Sequence, residues 1–229
     1  MSPRPSREQI DPTSIIAGIG FVIVLLFGAF LNGFVQTLHS GGSAAVPRDK
    51  PLQLAEQAFR SGHDQSAAQI FSELADKNNP TAQYWLAHMT ELGLAVPHDT
   101  GKAIGLYKKA ANAGVIAAQL RLGEIYLRGD TVPPDFAQAK GYLERSALRG
   151  DPRAAMELGR MYQLGLGMPP DPVAAYAWSE VAALEGDVPA RRERDSSLRS
   201  LKGSDQQTAI ARAGEILSRI KQRAAQANP

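Results

Sequence analysis

The side chains of this 229-residue chain that could do chemistry do not form the patterns that catalytic or metal sites need. The four histidines, His39, His63, His88 and His98, include no pair at the spacing of metal ligands. The chain has no cysteine, which excludes a disulfide framework, a thiolate nucleophile and a cysteine-ligated zinc site. We therefore expect no metal and no cofactor.

Two short motifs resemble catalytic or nucleotide-binding signatures, and both are incomplete. Ser218 to Lys221 matches the S-x-x-K motif, which would make Ser218 the nucleophile of a β-lactam or peptidoglycan hydrolase. The S-D-N and K-T-G motifs that accompany it are absent. Gly18-x-Gly20 lacks the third glycine of a dinucleotide-binding loop. We predict no catalytic residue, and a hydrolase is the least favoured function.

Six residue columns recur with a period of 36 positions, which shows an internal repeat. The aligned triplets are Ala82, Ala118 and Ala154; Leu86, Leu122 and Leu158; Gly93, Gly129 and Gly165; Asp99, Asp135 and Asp171; Ala103, Ala139 and Ala175; and Gly114, Gly150 and Gly186. A stacked repeat offers a long recognition surface and not a catalytic cleft. Because the aspartates recur once in each unit, we interpret them as helix caps and not as an acid–base pair.

Each unit predicts a helix, a turn and a second helix. In residues 116–151, apolar residues at helical spacing define the first helix, and Gly129 is expected to end it. Asp135 would cap the second helix, and Gly123 would let that helix come close. Neither helix can bury its apolar stripe alone, so neighbouring units must stack. The predicted fold class is all-α, a short α-solenoid of helix-turn-helix repeats.

These residues resemble the Sel-one-like repeat family, relatives of the tetratricopeptide repeat. The resemblance lies in the alanine, Leu-Gly, tyrosine and glycine of the first helix, followed by Pro-x-Asp and a second helix that ends at glycine. It is fullest in residues 118–150 and 154–186, whereas residues 82–114 depart from it at Ala87 and Thr90. We place the repeat region at 52–187, with units at 80–115, 116–151 and 152–187 and a diverged first unit at 52–79.

Residues 188–229 are predicted to cap the end of the stack. Pro189–Leu201 and Asp205–Arg223 are expected to be helices, with Ser204 or Asp205 as the N-cap of the second. The apolar stripe predicted for that last helix consists of Ile210, Ala213, Leu217 and Ile220. This region carries nine basic and four acidic residues, which we interpret as a solvated face. An acidic protein or lipid partner is the alternative, and the lack of aromatic residues argues against nucleic acid.

The segment Ile15–Val35 is uncharged and apolar enough to be a single transmembrane helix. Its 21 residues would reach about 31 Å as a helix, the thickness of the hydrocarbon core. A buried helix and a cleaved signal peptide are the alternatives, but the segment is longer than a signal peptide's apolar region and a Gly/Ser-containing linker, 36–51, follows it. Arg4 and Arg7 favour a cytoplasmic tail at 1–14. We therefore predict a single-pass inner-membrane protein with a cytoplasmic N-terminus and a periplasmic repeat domain.

The predicted function is a membrane-anchored scaffold for protein partners, acting as adaptor, assembly factor or regulator, with no small-molecule substrate and no nucleic acid. By resemblance to tetratricopeptide stacks, the first helix of each unit lines a groove. The expected partner-binding residues are Tyr84, His88, Glu91, Leu120, Glu124, Leu127, Met156, Arg160 and Gln163. The alternative is a structural subunit of a membrane complex, held through its transmembrane helix. Ala29, Asn32 and Gly33 would then favour close contact with another helix.

Overall fold

A computed structural model describes residues 50–183 and 188–227 of the chain, and within these residues all regular structure is helical. The helices are α1 (Lys50–Arg60), α2 (Asp64–Asp76), α3 (Pro80–Leu92), α4 (Thr100–Asn112), α5 (Ile116–Arg128), α6 (Phe136–Ala147), α7 (Pro152–Leu164), α8 (Pro172–Ala183), α9 (Val188–Ser200) and α10 (Gly203–Ala227). Each helix from α1 to α8 packs against its neighbours in sequence. The first eight helices therefore form four helix-turn-helix units that stack in chain order, as predicted for an α-solenoid.

The recurring aspartates and glycines are the signals that begin and end these helices. The carboxylate of Asp135 accepts a hydrogen bond of 2.9 Å from the backbone N–H of Gln138 at the start of α6, and Asp99 and Asp171 make the same contact in their own units. Gly129 ends α5 with φ of 73°, a left-handed conformation that favours glycine. The predicted cap roles are thus confirmed, and these columns serve the scaffold.

Small residues let the two helices of each unit come close, and larger apolar residues complete the core. The repeated alanines of both helices are almost completely buried, and so are Leu122, Leu143 and Leu158. Gly123 of α5 faces Leu143 of α6 so closely that an added Cβ would lie 2.6 Å from its side chain. The predicted close approach at Gly123 is therefore confirmed.

The first unit is a helix pair like the others, with its own buried side chains. Ala68, Phe71 and Ala75 of α2 are buried, and they form one core with Met89 of α3. Helix α1 begins at Lys50, so the last two residues of the predicted linker are helical. A proline fits this position, because the first helical turn needs no partner for the missing N–H of Pro51.

The C-terminal helices cover the end of the stack through α8, against which both α9 and α10 pack. Two details of the prediction were wrong. Helix α10 begins at Gly203, so Ser204 and Asp205 lie inside its first turn and neither is the N-cap. Ile210 is exposed, and Ala209 is buried in its place together with Ala213 and Ile216. The other predicted members of the stripe are confirmed, because Ala213 is buried and Leu217 and Ile220 pack against the core.

The predicted transmembrane helix Ile15–Val35, its contact residues Ala29, Asn32 and Gly33, and the tail at 1–14 lie outside the described residues, as does Gly186. No helix in residues 50–183 or 188–227 combines the length and the apolarity that a membrane span requires.

Candidate functional site

The residues predicted to line a groove lie on α3, α5 and α7, the first helices of three consecutive units. Eight of them have side chains that reach the surface to different extents, and we call these the first-helix surface: Tyr84, His88, Glu91, Glu124, Leu127, Met156, Arg160 and Gln163. Arg160 and Gln163 are exposed, whereas the other six are half-buried. The ion pair between α3 and α5 described below shows that first helices of successive units lie side by side.

Leu120 departs from the prediction, because its side chain is only 3% exposed and belongs to the core. In its column it stands between Tyr84 and Met156, two larger residues that pack against the same core from the neighbouring units. Leu120, the middle residue of this column, is therefore buried and cannot contact a partner.

The two glutamates of the first-helix surface are both bound by Arg121, a residue that the sequence analysis did not select. The Arg121 guanidinium contacts both carboxylate oxygens of Glu91, one through Nε at 3.1 Å, and its third nitrogen lies 2.7 Å from Glu124. The hydroxyl of Tyr107, on α4, donates to Glu91 at 2.8 Å. This network of four residues joins the second unit to the third. The helical period could have identified Arg121, which lies one position after Leu120 and three before Glu124.

The network sets the protonation of Glu91. Burial alone would raise the pKa of this carboxyl, but the hydrogen bonds from Arg121 and Tyr107 outweigh burial and hold the pKa below its ordinary value. Burial and the charge of Glu91 raise the pKa of the Tyr107 hydroxyl, so Tyr107 stays a donor. Glu91 is therefore an anion whose charge is paired with Arg121 inside the protein. Its charge stabilises the stack and is not free to bind a partner.

His88 belongs to an aromatic cluster that connects the first two units. Its ring lies 6.2 Å from Phe59 of α1 and 6.4 Å from the parallel ring of Tyr84, measured between centroids. Trp85 lies between α1 and α2 and donates a hydrogen bond of 3.2 Å to Glu56. Burial lowers the pKa of His88 most strongly. The negative charge of Glu91 opposes this effect, and the positive charge of Arg121 lowers the pKa further. His88 is thus a neutral aromatic element of this surface at pH 7.

The accessible groups of this face include Gln163, three arginines and two leucines. Arg128, Arg153 and Arg160 have side chains more than half exposed, and each reaches an acidic neighbour only at 3.4 Å or more. Leu92 and Leu164, the last residues of α3 and α7, are also more than half exposed. The face therefore combines aromatic and aliphatic side chains with cations at its rim, a mixture found at protein interfaces.

The candidate nucleophile Ser218 has the surroundings of an ordinary helix residue. It is exposed on α10, and its hydroxyl donates a hydrogen bond of 2.9 Å to the backbone carbonyl of Gly214 one turn earlier. In the part of the chain that the structure describes, no group of three or more His, Cys, Asp or Glu side chains is arranged to hold a metal ion.

Comparison with known proteins gives the same repeat. A sequence model of the Sel1 repeat matches residues 80–115, 116–151 and 152–187. Chitin synthase regulatory factor 3 of Schizosaccharomyces pombe is 38% identical over 61 residues, which are 27% of this chain and 6% of that protein. The chain thus corresponds to a small fraction of that curated relative.

A solved Sel1 repeat structure shares the fold. A Sel1 repeat protein from Oxalobacter formigenes superposes with a TM-score of 0.58 at 24% identity, over 62% of this chain and 58% of that chain. A protective antigen present in uropathogenic Escherichia coli strains, which displays an SLR fold, has a TM-score of 0.46 at 23% identity and covers 74% of this chain and 47% of that one. The helix-turn-helix stack and the cap residues agree with the sequence match: residues 80–187 of this chain match three consecutive Sel1 repeats.

Proposed function

We propose that this protein is a scaffold that binds protein partners through its first-helix surface. The observation that carries the proposal is that exposed or half-buried residues recur on the first helix of three consecutive units. They include Tyr84 and His88 on α3, Leu127 on α5, and Met156 and Arg160 on α7. The aromatic and aliphatic side chains of this surface are half-buried and held in place, so a partner could bind them with little loss of side-chain freedom.

The charges of this surface favour a partner segment with acidic residues beside an apolar anchor. Arg121 binds both Glu91 and Glu124 within the chain, whereas Arg128, Arg153 and Arg160 keep more than half of their side chains in solvent. Complementary charge at the rim of an interface accelerates association and selects the partner more than it adds affinity. The apolar residues would supply most of the binding energy.

The proposed setting is the outer face of an inner membrane. The apolar segment Ile15–Val35 would anchor the chain with its N-terminus in the cytoplasm, and the linker would present the repeats in the periplasm. The role would be that of an adaptor, assembly factor or regulator without catalysis. The name of the S. pombe relative, a regulatory factor of an enzyme, is compatible with such a role.

The test is co-purification of partners with the full-length chain extracted in mild detergent. The double variant Tyr84→Glu, Met156→Glu places charge on two half-buried surface residues, and we expect recovery of the specific partner to fall at least about tenfold, or 1.4 kcal/mol. Lys109→Glu, on the exposed side of the second helix α4, is the matched control and should retain the partner. Equal recovery with the double variant and the control would contradict the proposal, provided that both variants melt as the wild type does.

The same preparation distinguishes two hypotheses: a scaffold that binds through the first-helix surface, and a structural subunit that is held by its membrane helix. Exchanging residues 15–35 for an unrelated apolar helix should leave partner recovery unchanged if the first-helix surface binds. Loss of the partner would instead assign binding to the membrane segment. A C-terminal alkaline phosphatase fusion checks the side of the membrane, since it should be active only if the repeats are periplasmic.

A further inference from the structure

A cleft of about 460 Å³ lies between the end of α10 and the turns that connect the units. Its lining residues are Ile116, Arg149, Ile220, Arg223, Ala224 and Gln226. Two of these turns meet here, because Arg149 donates a hydrogen bond of 2.6 Å to the backbone carbonyl of Gly114. None of the lining residues belongs to the first-helix surface.

The walls of the cleft combine apolar side chains with positive charge. Ile116 and Ile220 are partly buried, and Ala224 continues the same apolar side of α10 by one turn. Arg149 and Arg223 are both exposed, and they are the charged residues of the lining, which contains no acidic side chain. The contact with Gly114 holds the Arg149 guanidinium at the cleft. A volume of this size is within the usual range for ligand sites.

The start of α5 adds to the positive character of this cleft. Val115 precedes the helix and has no side-chain acceptor for the N–H groups of its first turn, unlike Asn79 before α3 and Asp151 before α7. An uncapped helix N-terminus carries a partial positive charge. The two arginines define the preference for an anion, and Ile116, the first residue of α5, lines the cleft with them.

We propose that this cleft binds the C-terminal end of a polypeptide, with a free α-carboxylate between Arg149 and Arg223 and aliphatic side chains on Ile116, Ile220 and Ala224. Arginine and carboxylate form strong charge-assisted hydrogen bonds. The side-chain amide of Gln226 can pair with a peptide group of the ligand, which the hydrocarbon chain of a fatty acid lacks. A peptide C-terminus therefore offers a partner to each kind of group in the lining: its carboxylate to the arginines, its aliphatic side chains to the apolar residues and its peptide group to Gln226.

The experiment measures fluorescence anisotropy of a labelled hexapeptide, Gly-Gly-Ser-Ala-Leu-Leu, with the full-length chain in detergent. We expect the peptide with a free C-terminus to bind at least about fivefold more tightly than the same peptide with a C-terminal amide. Arg223→Ala and Arg149→Gln should each weaken binding by about fivefold or more. Glutamine at position 149 keeps a donor for the Gly114 carbonyl. Arg219→Ala, one turn earlier on α10 and outside the cleft, should bind as the wild type does.

Two further results decide the ligand class and the place of binding. Ala224→Glu puts a negative charge on an exposed position of the cleft and should abolish binding without changing the melting temperature; full binding by this variant would overturn the proposal. Equal affinity for the acid and the amide would also overturn it. Binding of decanoate without binding of the peptide would assign the cleft to a lipid-like anion. The variant Met156→Glu should bind the hexapeptide normally, so failure here is distinguishable from failure of the first-helix surface.

Discussion

Replacing Gly123 by valine should lower the free energy of unfolding by about 2–3 kcal/mol, because overpacking a well-filled core has a cost of this size. A Cβ at this position would lie 2.6 Å from Cγ and Cδ2 of Leu143. Leu143 is completely buried and has no solvent-filled space to move into. The helices α5 and α6 must then move apart. Thermal unfolding followed by circular dichroism should show a melting temperature lower by roughly 5–10 °C.

The same substitution at Gly141 is the matched control. Gly141 also lies inside a helix, α6, but a Cβ there would meet no atom within 4 Å. We expect the free energy of unfolding of Gly141→Val to stay within about 0.5 kcal/mol of the wild type. If Gly123→Val unfolds no more easily than Gly141→Val, the close packing of α5 on α6 is wrong.

The second large effect is expected for Arg121→Met, which keeps the apolar stem of the side chain and removes its charge. Glu91, whose side chain is 11% exposed, would keep only Tyr107 as a hydrogen-bonding partner in this network. Loss of one partner from a fully buried ion pair costs several kcal/mol, but Arg121 is about one third exposed and solvent screens the pair. We therefore expect a loss of about 2 kcal/mol, measured by urea unfolding at pH 7.

The effect of Arg121→Met should depend on pH. The folded protein holds the pKa of Glu91 below the pKa of the same carboxyl in the unfolded chain. The ionised carboxylate therefore stabilises the fold at a pH above the unfolded-chain pKa. This contribution is lost as the pH falls through the lower pKa of the folded protein. The difference between wild type and Arg121→Met should shrink over that acidic range. Arg160→Met, which removes an exposed arginine 3.6 Å from Glu157, should change stability little at any pH. A pH-independent loss for Arg121→Met would contradict this role of Glu91.

The helix pairs and their ends could be predicted because their signals are local. An aspartate at the start of α6 satisfies the backbone N–H of a residue three positions later, and Gly129 ends α5 through its own conformation. Each signal requires only a few neighbouring residues, and its recurrence after 36 positions removes the ambiguity of a single match. The close approach at Gly123 was predictable for the same reason, since this residue faces the other helix of its own unit.

Contacts between units could not be predicted, because they depend on how each unit is rotated on the one before it. Arg121 and Glu91 are 30 positions apart, and no local pattern pairs them. Leu120 is buried, although the 36-position period aligns it with Tyr84 and Met156, whose side chains reach the surface. In α10, the choice between Ala209 and Ile210 depends on the orientation of the helix on α8.

The most direct test of the central proposal is photo-cross-linking in cells with p-benzoylphenylalanine in the full-length chain. The residue would replace Arg160 or Gln163, the exposed members of the first-helix surface, or Lys109 on the exposed side of α4. We predict that both first-helix positions cross-link to one discrete protein and that the position on α4 does not. Cross-linking to that protein from position 109 alone, or equally from all three positions, would contradict binding through the first-helix surface.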